Sequence, residues 1–192
     1  MSLVVVIVLV AICALLLVLE QRGVRTTMTM SFKGDLKRET AFVAQYGQSI
    51  ATPLAAMIVW SFDIDDWVKP VALIASVFVT AVAAFILKRL CGRVRPNRPN
   101  AGAFTGPLWK LDNKRESFPS SHSACAIALS MVLIYFFPEL WVIMWCLALA
   151  TALLRWMMAA HYPSDIAAGL ALGYLTPYLV LMAFGYPVSV DW

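Results

Sequence analysis

The chain contains two histidines, and both stand in the same local setting. Pro119-Ser120-Ser121-His122 leads straight into an apolar run, and so does His161-Tyr162-Pro163-Ser164-Asp165. An imidazole titrates near neutral pH, so it can serve as nucleophile, general base or general acid. Cations flank both: Lys88, Arg89, Arg93, Arg95 and Arg98 in K88-RLCGRVRPNRP-N100, and Arg155 shortly before His161. Arg offers a planar fork to phosphate oxygens and Lys a point charge. Ser120, Ser121 and the unpaired N–H groups of a helix start add further donors and a dipole that favours anions. Taken singly these features are ordinary. Arg and Lys at helix ends usually set topology, and Pro-Ser-Ser is a common helix opening. Converging, they describe a site for a multiply charged anion.

The elements that must position these residues are membrane helices. The 192-residue chain is 61% hydrophobic and only 14% charged, where a soluble domain carries about a quarter charged residues. Roughly 20 apolar residues cross the hydrocarbon core. Six runs qualify: Ser2–Leu19, Phe42–Phe62, Val68–Leu87, Ser123–Phe137, Leu140–Met158 and Ile166–Phe184. The second contains Gln45, Gln48, Ser49, Thr52 and Pro53, and the fourth is short. The first has no preceding Lys or Arg and no small-x-small cleavage site, so it reads as a retained helix rather than a signal peptide. The expected architecture is an all-α membrane protein: one domain over 1–192, six transmembrane helices and an interfacial active site.

Six crossings put Glu20–Ala41, Lys88–Ser121 and Arg155–Asp165 on one side, and Asp63–Trp67, Pro138–Glu139 and both termini on the other. His122 and His161 therefore share a face. Glu20–Ala41 suits an interfacial helix or a solvated loop. Trp60, Trp67, Trp109, Trp141 and Trp156 fall near expected interfaces, as belt aromatics do. Gly169-x3-Gly173 signals close helix packing. The four cysteines show no paired spacing, so neither a disulfide framework nor a zinc site is expected, and no metal-ligand cluster stands out.

Three segments resemble the signature of the type 2 phosphatidic acid phosphatase superfamily, whose members are metal-independent membrane lipid phosphatases. Its Lys-x6-Arg-Pro motif is matched by Lys88, Arg95 and Pro96. Its Pro-Ser-Gly-His motif is matched by Pro119, Ser120 and His122, with Ser121 at the glycine. Its Ser-Arg-x5-His-x3-Asp motif is matched by Arg155, His161 and Asp165, with Leu154 at the serine. All three lie within residues 88–165.

The resemblance implies that His161 is the nucleophile, forming a phosphohistidine. It implies that Asp165 holds the proton of the other ring nitrogen and that His122 protonates the leaving oxygen and then activates water. Lys88, Arg95, Ser120, Ser121 and Arg155 would bind the phosphoryl oxygens, with no metal and no cofactor. The implied substrate is a lipid phosphate or diphosphate. Undecaprenyl diphosphate stands first, followed by phosphatidylglycerol phosphate, phosphatidic acid and lipid A phosphates. The partners are this substrate and membrane lipids, with no nucleic acid, and a monomer suffices for the chemistry. A lipid phosphotransferase using the same intermediate and a non-enzymatic membrane protein are the alternatives. The expected location is the cell (inner) membrane, multi-pass. Orientation divides two rules: every Lys and Arg except Lys69 lies on the histidine side, which points to the cytoplasm, while the resemblance implies a periplasmic or outer site. The outer face is taken here.

Overall fold

The computed structural model describes residues 2–48, 50–110 and 112–188, and their regular structure is helical apart from two isolated bridges. The described residues form seven α-helices, in chain order α1 Leu3–Gln21, α2 Gly34–Val43, α3 Ala51–Phe62, α4 Val68–Cys91, α5 Ser121–Phe136, α6 Trp141–Met157 and α7 Pro163–Ala183. Among the described residues, four segments are long and apolar enough to cross a membrane: α1, α4, α7, and α6 with its leading 3-10 turn, Pro138–Met157. The apolar helices α3 and α5 are shorter, at 12 and 16 residues. The chain is a membrane protein.

Helix α5 is the axle. It packs against α4, α6 and α7, and every residue from Ser123 to Val132 is buried. Its sequence shows no polar stripe because it has no solvent or lipid face over that stretch, as expected of an internal helix. The approach of α7 to α5 is set by two glycines one turn apart. A Cβ on Gly169 would stand 2.5 Å from the Ser120 carbonyl oxygen, and one on Gly173 would stand 2.0 Å from that of Ala124. Only hydrogen fits at either place. Helix α1 lies on α7 with Cys13 as its one buried residue. Val5 and Val6 pack against the core, while Val4, Ile7, Val8, Val10, Ile12, Leu15 and Val18 are exposed, the face a lipid-contacting helix presents.

The second expected span, Phe42–Phe62, is not one helix. Helix α2 ends at Val43, turns occupy 44–48, and α3 begins at Ala51; Ser49 lies outside the described residues. Gly47 sits at φ +80, and a Cβ there would stand 2.5 Å from the Ala126 backbone nitrogen. The chain bends here to press its backbone against α5. Helix α2 lies within Glu20–Ala41 save for its last two residues. The strand-like stretch before it is tied to the end of α6 by Met30 N–H to the Met157 carbonyl (2.8 Å) and by Trp156 Nε1 to the Thr26 carbonyl (2.8 Å).

Candidate active site

The helix ends that carry the motifs meet at one end of the bundle. Helix α4 supplies Lys88 and stops at Gly92, whose left-handed conformation (φ 58) turns the chain sharply. A Cβ at Gly92 would stand 2.2 Å from the Gly106 carbonyl oxygen. The segment after it pairs twice with residues ahead of α5, through Arg95 N–H to the Lys114 carbonyl (2.9 Å) and Ser117 N–H to the Arg93 carbonyl (3.0 Å). This lays the Arg93–Arg95 stretch beside Ser117. Helix α5 then opens at Ser121 with Ser120 as its cap, the Ser120 Oγ accepting from Ser123 N–H. Helix α7 opens with Pro163 at its first position, which favours a helix start, and with Asp165 accepting from Tyr162 N–H at 2.9 Å.

The two helix starts are stitched together. Ser120 N–H donates to the Asp165 carbonyl at 2.9 Å. Ser117 Oγ donates to Asp165 Oδ2 at 2.6 Å. His161 is 1% exposed and Asp165 is fully enclosed. His161 Nδ1 lies 2.9 Å from the Ser117 carbonyl oxygen and 3.7 Å from Asp165 Oδ2. A carbonyl only accepts, so Nδ1 carries the proton and Nε2 holds a lone pair. Nε2 is buried with no hydrogen-bond partner among the described residues. Burial, opposed by Asp165 and reinforced by Lys88 and Arg95, pulls the His161 pKa down to about 4, so the ring is neutral at physiological pH.

The cations gather around it. Lys88 is 6% exposed, and its Nζ donates to the Glu116 carbonyl at 2.7 Å. Arg95 reaches the Ala160 carbonyl at 3.5 Å, and burial lowers its pKa. The Nε atoms of Arg95 and Arg155 are buried without partners among the described residues. His122, in the first turn of α5, lies within electrostatic range of Arg155, His161, Lys88 and Arg95. Buried, partly unsatisfied cations around a bare imidazole nitrogen are able to receive the oxygens of a multiply charged anion. The sequence-derived set Lys88, Arg95, Ser120, His122, Arg155, His161 and Asp165 is thus brought together. Ser121 stands between Ser120 and His122 as the first residue of α5.

The model of the PAP2 superfamily matches residues 69–188. The chain belongs to the PAP2 superfamily. It is 34% identical over 120 residues to the Lipid A 1-phosphatase of Rhizobium johnstonii, a match covering 62% of this chain and 49% of the relative. It is 38% identical over 101 residues to the Decaprenylphosphoryl-5-phosphoribose phosphatase of Mycobacterium tuberculosis, covering 52% of each. The matched stretch is thus about half the length of these relatives. The fold is similar to that of the PAP2-type phosphatidylglycerolphosphate phosphatase of Bacillus subtilis, with a TM-score of 0.61 at 21% identity, covering 90% of this chain and 86% of that one.

Three residues of this PAP2 chain carry the site without having been singled out for it. Arg93 was one loop cation among five, yet it is 1% exposed and grips Asp165 Oδ1, Ser164 Oγ (2.7 Å) and Glu20 Oε2 (2.7 Å). Glu20 closes α1 and also takes Ser164 Oγ. Ser117 gives its carbonyl to His161 and its hydroxyl to Asp165. In the sequence, the one pointer was a Glu ending an otherwise uncharged membrane helix.

An apolar cavity of about 370 Å³ opens between α1, α6 and α7. Trp156 and Pro163, which flank His161 in sequence, line it together with Leu9 and Leu153.

Proposed function

We infer that the chain is a lipid phosphate phosphatase that works through a phosphohistidine on His161. The observation that carries this is the pairing of His161 Nδ1 with the Ser117 carbonyl. That bond leaves Nε2 unprotonated and unpartnered beside Lys88 and Arg95. In the first step Nε2 attacks phosphorus, an N–P bond forms, and the bond from phosphorus to the lipid oxygen breaks. His122 gives its proton to that oxygen. In the second step His122 takes a proton from water, the water oxygen attacks phosphorus, and the N–P bond breaks to release phosphate. Lys88, Arg95, Arg155, Ser120 and the Ser121 N–H hold the three phosphoryl oxygens as charge spreads over them. Asp165 stabilises the imidazolium that forms on His161.

The substrate is a lipid phosphomonoester or diphosphate with its phosphorus at the membrane surface and its tail in the apolar cavity that starts at Trp156 and Pro163. Undecaprenyl diphosphate remains a candidate. The names of the relatives favour the lipid A phosphates already in the panel and add a phosphorylated polyprenyl sugar to it. The site faces the outer side of the membrane in this reading.

The test is phosphate release in detergent with EDTA, from these lipids and phosphatidylglycerol phosphate, without an acceptor. Wild type is expected to release phosphate, and His161→Ala and His122→Ala are expected to abolish it. Release that survives His161→Ala would remove the nucleophile assignment. Release that appears only as transfer to an added acceptor lipid would make the protein a phosphotransferase.

A further inference from the structure

Glu20, Arg93 and Asp165 form a buried carboxylate–guanidinium–carboxylate row that none of the three sequence motifs contains as a unit. Arg93 lies between the acids, 2.7 Å from Glu20 Oε2 and 2.5 Å from Asp165 Oδ1. Its guanidinium rests on the Tyr162 ring at 4.1 Å, with Phe104 at 5.1 Å. The side chains of Glu20 and Arg93 are 4% and 2% exposed. Burial disfavours the Arg93 charge, but Asp165 and Glu20 outweigh it and hold the guanidinium firmly protonated. The row spans α1, the loop after α4 and the start of α7. It ends one carboxylate away from the histidine that carries the bare nitrogen.

We propose that Glu20 and Arg93 are positioning residues for His161, fixing the Asp165 carboxylate and balancing its charge so that the imidazole stays oriented and neutral until it attacks phosphorus. The proposal rests on the assignment of His161 as nucleophile. Asp165 has four takers: Arg93 at Oδ1, Ser117 Oγ and Tyr162 N–H at Oδ2, and His161 beyond them at 3.7 Å. Arg93 alone of these brings a full charge. Unopposed, that charge would drain the carboxylate of its pull on the developing imidazolium. Glu20 opposes it. Glu20 also accepts from Ser164 N–H and Oγ, so one side chain from α1 both neutralises Arg93 and pins the first turn of α7. Charged or titratable groups surround His161 from the neighbouring elements: Lys88 of α4, Arg95 of the loop after it and Asp165 of α7 act on it, His122 of α5 is coupled to it and to Arg155 of α6, and Arg93 reaches it through Asp165. Glu20 is the contribution of α1.

The experiment uses full-length protein in detergent, with a readout independent of activity. The chain has two histidines, so selective 15N labelling gives a spectrum of two imidazoles, assigned by His122→Ala. His161 is titrated in wild type, Glu20→Gln, Glu20→Asp and Arg93→Gln, and kcat and KM are measured beside it. Removing the Glu20 charge is expected to lower the His161 pKa, and removing the Arg93 charge to raise it, each by on the order of half a unit or more. Both are expected to lower kcat about 10- to 100-fold with little change in KM, since a misplaced group costs rate more than binding. Glu20→Asp restores the charge and is expected to return the titration toward wild type. Arg93→Gln strands two buried carboxylates and can unfold the protein, in which case Glu20→Gln and Glu20→Asp decide. Titration curves that stay in place, or that move the same way in Glu20→Gln and Arg93→Gln, would overturn the proposal. Wild type without phosphate release would sink the enzymatic reading of the preceding subsection, while the order of the titrations still tests the charge coupling.

Discussion

The backbone carbonyl of Ser117 accepts from His161 Nδ1 at 2.9 Å. This contact, rather than a direct bond to Asp165, fixes which ring nitrogen is bare. Because the acceptor is main chain, no side-chain substitution at residue 117 deletes it. Ser117→Ala removes only the hydroxyl that holds Asp165 Oδ2. It is expected to lower kcat about tenfold, with KM nearly unchanged, as loss of an orienting hydrogen bond does. Asp165→Asn, which removes the charge, is expected to cost far more. Steady-state kinetics on one lipid phosphate compares them.

The two histidines are expected to fail differently. In the proposed mechanism His161→Ala removes the group that forms the N–P bond, and turnover is expected to be lost. In that mechanism His122→Ala removes the proton donor, so a substrate with an acidic leaving group, such as an aryl phosphate, is expected to lose much less rate than a lipid alkyl phosphate. The ratio of the two rates in each variant is the measurement. Equal losses on both substrates would place His122 outside proton transfer.

Acid is expected to destabilise the fold through His161. The unfolded imidazole takes its proton near 6.5, while the folded one resists until about 4. Between those values the unfolded chain binds more protons, so stability rises with pH in that window and falls on acidification. Thermal unfolding in detergent across this range, for wild type and His161→Gln, checks it. The substitution is expected to flatten the decline that His161 causes.

The α5–α7 contact leaves no room for a methyl group. Gly173→Ala would bring its Cβ to 2.0 Å from the Ala124 carbonyl oxygen, which is backbone and cannot rotate away. The helices must separate, at an expected cost of about 1–3 kcal/mol or more. That overrides the small gain in helix propensity that alanine brings. Gly185→Ala, where nothing lies within 4 Å but φ is +81, tests backbone strain alone and is expected to cost less. Detergent unfolding of both variants gives the comparison.

Narrowing the cavity between α1, α6 and α7 is expected to discriminate by tail length. Leu153 lines it and is half-exposed, so Leu153→Trp adds bulk without displacing buried packing. KM for a long-chain lipid phosphate is expected to rise about tenfold, the scale on which apolar pockets reject extra bulk. A short-chain analogue that ends before the cavity is expected to be unaffected. Equal effects on both would place the tail elsewhere.

The site was legible because chemistry-bearing residues are scarce in an apolar chain. Two histidines and a cluster of cations at run boundaries narrow the choice to a handful, and helix alternation puts them on one face. What could not be read is what holds them. Glu20 meets Arg93 and Ser164 across 73 and 144 residues of sequence, and no periodicity encodes such a pairing. Ser117 acts through its carbonyl, which every residue type has. The bend at Gly47 was hidden because Phe42–Phe62 keeps enough apolar residues to read as one span. The bend answers to the surface of α5 rather than to its own composition. The run of α5 reads as short, and nothing in it signals that it is enclosed. Its lack of a polar face fits a lipid-exposed helix and an internal one equally well.

The bond from Ser120 N–H to the Asp165 carbonyl joins the start of α5 to the start of α7, and Gly169 keeps the same two backbones in contact. The start of α5, which carries His122, and the start of α7, which His161 adjoins, are therefore held to each other by main chain rather than by any replaceable side chain. The surroundings of that junction are of a different kind: the stretch joining α1 to α2 and the outward side chains of α1 and α6. A lineage can redraw those surroundings to suit a new headgroup or tail and leave the reacting pair in register. For the proposed reaction, this separation would let a single phosphate chemistry be re-addressed from one lipid to another by changes that never touch the two imidazoles.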